Sequence, residues 1–372
     1  MKFQIERDVL LAELALLAEV VEPNAAFSAC HSLLLEAAGN QLTLSAFGAS
    51  NHLRCQTEAA VIAKGRACLP ARKLFAIVRQ LPKALIHFSA TAENVTMKCN
   101  DSRFRLNAAP PDDFPAAPDA EEFTLTMPSR TLATMIRATL FAASKNVQAS
   151  QYALEGAQLT FGPEGARMIA TDGHRLMCVE RLDVTQPETI SLLIPKASFG
   201  VIVKLLDATE GDVRIQPTEN SLLFQTDQRR LACTLLTGQY PDVTTLLNQQ
   251  YHESLLLDGA EFRAAITRTA IFGADGTEHN FGLIKLLLKE AVCELWGTNP
   301  HGGESQEEVL PLSPVNVETT ISFNGRYLQD FARAISGSHL TIRFNDADSS
   351  VEFQPVDTSG LQSRYILMPC RI

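Results

Sequence analysis

The stretch that decides the fold is Pro70-Ala71-Arg72-Lys73-Leu74-Phe75, because the chain contains a second version of it. The second version, Pro195-Lys196-Ala197-Ser198-Phe199, begins 125 positions later. Two further pairs are separated by 126 and 124 positions: Phe114-Pro115 with Tyr240-Pro241, and Ala46-Phe47-Gly48 with Ala170-Thr171-Asp172. Three separations that agree this closely indicate an internal duplication rather than chance.

A third and weaker copy follows toward the C-terminal end. Gly297-Thr298-Asn299 begins 127 positions after Ala170, and Phe323-Asn324-Gly325-Arg326-Tyr327 begins 128 positions after Pro195. Solenoid repeats have periods of roughly 20–50 residues, so this longer period predicts that each copy is a whole domain. Three domains in 372 residues agree with the usual domain size of about 100–150 residues. We expect them to span residues 1–120, 121–250 and 251–372.

Each copy is expected to contain two helices. Apolar residues at helical spacing indicate the first helix of each copy, within Val9 to Val21, behind Ser129 as an N-cap, and behind Asp258. The second helix is expected over Pro70 to Leu81, Pro195 to Leu206 and Asn324 to Ile335.

Outside the helices, apolar and polar residues alternate in each copy, as in strands with one buried face. The clearest examples are Leu42–Ala46, Val95–Cys99, Phe123–Met127, Leu340–Phe344 and Val351–Phe353. The predicted fold class is therefore α+β, with three tandem similar domains, each made of two helices on one face of antiparallel sheet.

The composition is that of an ordinary globular protein, with 46% hydrophobic and 20% charged residues. A net charge of −10 argues against a basic protein that coats nucleic acid. The eight cysteines form no C-x-x-C pair, so we interpret them as small buried side chains in a reducing compartment rather than as metal ligands. We find no signal peptide and no apolar run of membrane-spanning length, so a cytoplasmic location is expected.

Positive charge is concentrated on the predicted helices. Residues 70–83 hold four cations and no acid, and residues 129–145 hold three cations and no acid. The segments 195–207, 260–272 and 323–336 each carry two cations against one acid, whereas the first helix is acidic. Any solvated helix face carries charge, but its recurrence in three similar domains favours a positive surface for a polyanion, bound through backbone phosphates without sequence readout.

The sharpest local motif is Ala170-Thr171-Asp172-Gly173-His174-Arg175-Leu176. In an enzyme, Asp172 and His174 would be an acid–base pair and Arg175 an anion clamp. No G-x-S-x-G, P-loop or G-x-G-x-x-G motif accompanies them to complete a catalytic site. The structural alternative is an Asp-Gly turn after a strand, with local hydrogen bonds.

This motif, together with Gly238–Asp242 and the terminal Tyr365–Ile372, resembles the bacterial DNA polymerase III β subunit, the sliding clamp family. Met1-Lys2-Phe3 and Leu69–Lys73 are similar to that family as well, so the resemblance spans the whole chain in order. It implies a non-catalytic processivity subunit that acts as a head-to-tail homodimer. Its six domains would close into a ring around duplex DNA, with helices lining the bore and sheets outside.

The resemblance also implies a cleft that binds peptides of partner proteins through apolar anchors. The partners would be the polymerase α subunit, the clamp loader and other proteins with a clamp-binding motif. On this chain the cleft would comprise Leu154, Thr171, Gly173, His174, Arg175, Leu176, Pro241, Leu246, Asn324, Tyr327, Ser350, Ile366, Leu367, Met368, Pro369, Cys370 and Arg371.

Contacts to double-stranded DNA and between two copies of the chain follow in the same way. For DNA the resemblance points to Arg72, Lys73, Arg79, Gln148, Tyr152 and Lys196, and the charge pattern adds Lys83, Arg130 and Arg137. At the dimer joint, Phe104 and Leu106 would meet Ile271 and Phe272 of the other copy. No cofactor and no metal are expected.

The chain departs from the family pattern at a few positions. Asn24 stands where a basic residue is common, Thr245 stands where a second arginine near the cleft is expected, and the first helix is acidic. Two alternatives therefore stay open beside the clamp and the enzyme. The chain would be a divergent secondary clamp with altered partners, or an open nucleic-acid-binding module that does not close into a ring.

Overall fold

The computed structural model describes residues 1–22, 28–91, 93–144, 153–273, 282–298, 303–313, 318–356 and 360–371. The chain divides into two compact units. Unit 1 contains residues 1–133 and 197–235, and unit 2 contains residues 134–196 and 236–372.

Strands dominate the secondary structure. In chain order they are β1 (Lys2–Glu6), β2 (Ser32–Ala38), β3 (Gln41–Phe47), β4 (Asn51–Glu58), β5 (Ala60–Ala63), β6 (Gly65–Pro70), β7 (Leu85–Ala90), β8 (Asn94–Cys99), β9 (Ser102–Asn107), β10 (Leu125–Pro128), β11 (Gly156–Gly162), β12 (Gly165–Thr171), β13 (Arg175–Arg181), β14 (Ile190–Pro195), β15 (Asp212–Pro217), β16 (Ser221–Gln225), β17 (Arg229–Thr234), β18 (Glu253–Asp258), β19 (Leu283–Leu288), β20 (Cys293–Thr298), β21 (Glu304–Val309), β22 (Thr319–Asn324), β23 (His339–Phe344), β24 (Val351–Val356) and β25 (Gln362–Leu367).

The α-helices are fewer and mostly short. They are α1 (Arg7–Leu17), α2 (Ala71–Gln80), α3 (Ser129–Thr139), α4 (Phe199–Asp207), α5 (Thr244–Leu247), α6 (Gly259–Gly273) and α7 (Gly325–Ala334). Short 3₁₀ turns precede α4 at Lys196–Ser198 and follow α3 at Leu140–Ala142.

Unit 1 contains two antiparallel sheets. The five-stranded sheet has the order β5-β1-β7-β8-β9, and the eight-stranded sheet has the order β10-β15-β16-β17-β4-β3-β2-β6. The eight-stranded sheet joins strands of the first and second copies of the repeat at a seam between β4 and β17, where Leu53 lies opposite Leu231. Helix α2 buries Leu74 and Val78 and leaves its cations exposed.

The acidic character of α1 has a structural reason inside unit 1. The buried Glu13 carboxylate forms a two-pronged ion pair with the Arg229 guanidinium at 2.6 and 2.9 Å. Glu19 pairs with Lys204 of α4, and Asp8 lies 3.4 Å from the Lys83 ammonium group, which follows α2 in the chain. Two-pronged arginine–carboxylate pairs are among the stronger charged hydrogen bonds, so these acids attach α1 to neighbouring elements.

Unit 2 has the same plan. Its eight-stranded sheet has the order β14-β11-β12-β13-β25-β24-β23-β18, and its four-stranded sheet has the order β21-β20-β19-β22. The seam between the second and third copies lies between β13 and β25, where Leu176 lies opposite Ile366. Beside this seam, the ring of Tyr365 on β25 stacks on the ring of Phe331 with 4.6 Å between ring centres. This adds a directional aromatic contact to the packing of these buried side chains.

Most of the predicted elements are present. The predicted α+β class with antiparallel sheets is confirmed. Helices α2 and α7 lie within their predicted ranges, and α4 ends at Asp207, one residue beyond its range. The side chains of Asp258 and Asn324 cap α6 and α7 through hydrogen bonds from backbone N–H groups. Seven of the eight cysteines are buried, as expected, and Cys370 is partly exposed.

Two local predictions are wrong. Ser129 does not cap α3, because its Oγ is buried and has no hydrogen-bond partner among the described residues. The strand predicted at Phe123 begins only at Leu125, and Thr124 instead donates its backbone N–H to the Gln216 side chain at 2.9 Å. Asn24 lies outside the described residues.

Candidate functional site

A cluster of apolar side chains covers one face of the eight-stranded sheet of unit 2. We call it the apolar cluster, and its buried members are Leu154, Ile169, Leu176, Cys178, Leu193, Tyr240 and Ile366. Segment 236–247, which we call the connector of unit 2, packs against it with the partly buried Val243, Leu246 and Leu247. Four of the predicted cleft residues, Leu154, Leu176, Leu246 and Ile366, therefore lie together.

The motif Thr171–Arg175 forms the turn between β12 and β13. Asp172 Oδ1 accepts hydrogen bonds from the backbone N–H groups of His174 and Arg175 at 3.1 and 3.2 Å. Gly173 has a φ of +89°, a conformation that a residue with a Cβ rarely adopts. The carboxylate that the enzyme interpretation would use as an acid or base is thus occupied in holding a turn.

Arg175 is the buried centre of this turn, with 5% of its surface exposed. Its guanidinium donates to Asp172 at 3.0 Å, to Asp330 of α7 at 2.9 Å and to the Phe141 carbonyl at 2.8 Å. Burial alone would lower the pKa of Arg175, but the surrounding anionic groups raise it above its ordinary value. With its donors used inside the protein, Arg175 supports the site rather than clamping a ligand.

Arg175 also positions the aromatic rim of the site. Its guanidinium carbon lies 4.3 Å from the centre of the Tyr327 ring, a cation–π distance. The exposed His174 ring lies nearly parallel to Tyr327, with 6.4 Å between ring centres. These two rings therefore form a supported, solvent-facing edge.

The C-terminal residues continue this rim. The Met368 N–H donates to the His174 carbonyl at 3.0 Å, and the Met368 side chain is 42% exposed. The Cys370 N–H donates to the Ser322 carbonyl at 2.7 Å, and Asn324 lies beside Cys370. A flexible thioether next to an apolar floor can adapt to different apolar ligands.

Three predicted cleft residues have a different environment. Leu367 is fully buried and, by strand alternation, points to the face of β25 opposite Ile366. Ser350 is buried and donates to the Gln249 side chain at 2.7 Å. Pro241 is exposed on the connector of unit 2.

Asp330, which fixes Arg175 from α7, was not predicted from the sequence. A signal was available, because Asp330 follows Tyr327 by three positions and helical spacing places the two on one face. Phe141 was also missed, because its contribution is a backbone carbonyl that no side-chain motif encodes.

The predicted DNA contacts are mostly exposed cations. Arg72, Lys73 and Arg79 project from α2, and no acidic side chain in the described part of the chain pairs with them. Lys83 lies 3.4 Å from Asp8, and Arg130 and Arg137 are exposed on α3. Lys196 differs, since its Nζ donates to the Ala143 and Ser144 carbonyls. Gln148 and Tyr152 lie outside the described residues.

The predicted dimer contacts lie on one edge strand and at the end of one helix. Phe104 and Leu106 are partly and fully buried on β9, an edge strand of unit 1. Ile271 and Phe272, at the end of α6, are 68% and 44% exposed. Large exposed apolar side chains side by side are typical of interaction surfaces.

Comparison with known proteins covers the chain from end to end. Residues 1–118, 126–242 and 244–371 match the N-terminal, central and C-terminal domains of the DNA polymerase III beta subunit. The beta sliding clamp of Pseudomonas putida is 28% identical over 377 residues, with 100% of both chains covered. The crystal structure of the DNA polymerase III subunit beta from Pseudomonas aeruginosa superposes with a TM-score of 0.90 at 27% identity, covering 100% of each chain.

A further similar structure bears on the site. The Caulobacter crescentus beta sliding clamp, with PEG bound to a putative beta-motif tethering region, is 27% identical with a TM-score of 0.89, again over 100% of both chains. Within the described part of this chain, no helix has the length and apolar character needed to cross a membrane.

Proposed function

This chain belongs to the family of DNA polymerase III beta subunits, and we propose that two copies of it close head to tail into a ring around duplex DNA. It is a sliding clamp, a non-catalytic processivity subunit, and the ring would hold the replicative polymerase on its template in the cytoplasm. A closed ring holds DNA topologically, so its contacts to DNA need not be tight.

The proposed ring is supported by a pattern of strand pairing that repeats along the chain. In unit 1, β4 is the outer strand of the group β6-β2-β3-β4, and it pairs with β17. In unit 2, β13 holds the same position in the group β14-β11-β12-β13, and it pairs with β25. The third such group, β22-β19-β20-β21, ends at β21, which has no further strand beside it among the described residues.

A strand that could pair with β21 lies nearer the N-terminal end of the chain. Strand β9 ends the group β1-β7-β8-β9, as β17 and β25 end theirs, and it too is an edge. Pairing β21 of one copy with β9 of another would repeat the seam a third time. Because the two edges differ, the contact would be head to tail, and such contacts form a ring when the rotation between copies closes.

The charges of the two edges are complementary. Arg103 and Arg105 are exposed on one face of β9, and Glu304 and Glu308 are exposed on β21. Oppositely charged residues on facing strands stabilise a pair and also set its orientation. On the other face, Phe104 and Leu106 would meet Ile271 and Phe272.

For DNA we propose the cations Arg72, Lys73, Arg79, Lys83, Arg130, Arg137 and Lys196, together with Gln148 and Tyr152. Such contacts neutralise phosphates and are interchangeable along the duplex, which permits sliding. The exposed cations of α2, which pair with no acidic side chain among the described residues, support this assignment most directly.

For partner proteins we propose that the apolar cluster and its rim form the peptide-binding cleft. Its partners would be the polymerase α subunit, the clamp loader and other proteins with a clamp-binding motif. The apolar cluster would bind leucine and phenylalanine side chains of the peptide, and Met368 and His174 would lie at its edge. Arg175 would act by holding the turn and Tyr327 in place.

Retention on circular and linear DNA tests the ring. The clamp, loaded by a purified bacterial clamp loader, should remain on nicked circular DNA and be lost after the circle is cut. Sedimentation should give a particle of twice 40.6 kDa. Equal retention on circular and linear DNA, or a monomer at micromolar concentration, would favour the open binding module instead.

A further inference from the structure

A pocket lined with arginine and glutamine lies at the seam of unit 1, on the face of the eight-stranded sheet that carries Arg54 and Arg230. Segment 108–124, which we call the connector of unit 1, packs over this face. Its Phe114 ring meets the ring of His52 edge-on, with 6.1 Å between centres. The pocket has a volume of about 230 Å³. Its lining residues are Arg54, Gln56, Asp119, Gln225, Gln228, Arg229 and Arg230.

Two arginines meet directly across the seam. Arg54 of β4 lies opposite Arg230 of β17 in the antiparallel register. Like charges in directly opposed positions destabilise a sheet. An arrangement of this kind calls for an anion between the two side chains.

One of the two arginines is satisfied within the protein. Arg230 donates to Gln225 Oε1 at 2.5 Å and forms an ion pair with Asp119 of the connector of unit 1. Its guanidinium carbon also lies 5.6 Å from the Phe123 ring. Asp119 therefore shows that a carboxylate fits at the mouth of this pocket.

The other arginine has one donor without a partner in the described part of the chain. Arg54 Nε is buried, and among the described residues it has no hydrogen-bond partner. The neighbouring Arg229 does not compete for a ligand, because its guanidinium is engaged by Glu13. A buried donor left unpaired is costly, and in native proteins it usually has a functional or solvent partner.

We infer that this pocket is a second docking point, at which Arg54 and Arg230 bind a carboxylate side chain of a partner protein in competition with Asp119. The small volume admits one side chain. Nucleic acid is disfavoured, because the connector of unit 1 carries the acids Asp112, Asp113, Asp119, Glu121 and Glu122 and would repel a polyanion. The inference depends only on unit 1 and stands apart from the peptide cleft and from ring closure.

The test uses the full-length chain and the side-chain N–H resonance of Arg54 Nε in a nitrogen–proton correlation spectrum. The probes are the capped peptide Gly-Gly-Glu-Gly-Gly, the same peptide with glutamine at its centre, and inorganic phosphate. The glutamate peptide should shift the Arg54 resonance in a saturable way, and the glutamine peptide should not.

Three variants test whether peptide binding depends on the residues of the pocket. Asp119→Asn removes the internal competitor and should tighten binding of the glutamate peptide about tenfold, the effect of ~1.4 kcal/mol. Arg230→Gln should abolish binding. Arg66→Gln should leave it unchanged, because Arg66 lies in the same sheet but pairs with Glu36 and Asp112.

Three outcomes would each overturn the inference: unchanged binding in Arg230→Gln, equal shifts with both peptides, or tighter binding of phosphate than of the glutamate peptide. Sedimentation and DNA retention of the same variants report separately on the ring.

Discussion

His52 shows at the residue scale how burial fixes a charge state. Only 5% of its surface is exposed, and burial together with the Arg54 cation lowers its pKa to about 4. The unfolded chain binds a proton at this histidine near pH 6.5, whereas the folded chain does not until about pH 4. The stabilisation of the folded chain by neutral His52 is therefore fully present above pH 6.5, and it is lost as the pH falls toward 4.

We expect the free energy of unfolding to decrease by up to about 3 kcal/mol through this one group between pH 7 and pH 4. His52→Gln should remove this part of the pH dependence, measured by chemical denaturation at a series of pH values. His87→Gln is the matched control, because His87 is exposed on β7 in the same unit. An identical pH slope in His52→Gln and the unsubstituted chain would contradict the expectation.

At the scale of elements, the edges β9 and β21 make the proposed assembly testable by charge exchange. Arg103→Glu with Arg105→Glu gives a chain with two acidic edges, and Glu304→Lys with Glu308→Lys gives a chain with two basic edges. Each double variant should lose self-association by about 100-fold or more, because every interface would then join like charges.

Mixing the two double variants should restore a dimer, because both interfaces of the mixed pair again join opposite charges. Sedimentation of each variant alone and of the equimolar mixture measures this. If the variants stay monomeric when mixed, these strands do not face each other. If each still dimerises alone, their charges do not govern assembly.

The same scale shows what the sequence could predict and what it could not. Helices α2, α4 and α7 were predictable, because their amphipathic spacing and starting residues are local properties that recur in each copy. The seams at β4–β17 and β13–β25 were not, because they join strands more than 150 positions apart and alternation within a strand does not identify its neighbour. For the candidate site, the turn at Asp172 was foreseeable, whereas the Arg175–Asp330 pair required the fold.

At the scale of the whole molecule, the central copy of the repeat is divided between the two units. Its strands β15–β17 belong to the eight-stranded sheet of unit 1, and β11–β14 belong to that of unit 2. Native proteins open in roughly contiguous cooperative units, and here the continuous hydrogen-bonded sheets cross the boundaries of the sequence repeats.

We therefore expect hydrogen exchange in mild denaturant to group β15–β17 with β2–β4, and β11–β14 with β23–β25. Mass spectrometry of the exchanging full-length chain measures this grouping. Loss of protection from β11 to β17 as a single block, separate from the strands on either side, would show instead that the repeat itself is the cooperative unit.

The position of Ile366 has a consequence for pharmacology. It faces Leu176 across the seam and is buried in the floor of the proposed cleft, while its neighbours Tyr365 and Leu367 lie in the core on the other face of the same strand. A bacterium could not readily escape an inhibitor seated on this floor by altering these residues, since the altered chain would fold poorly. Resistance would be confined to exposed positions such as Met368 and His174. Compounds that make no contact with those two side chains should therefore keep their activity longest.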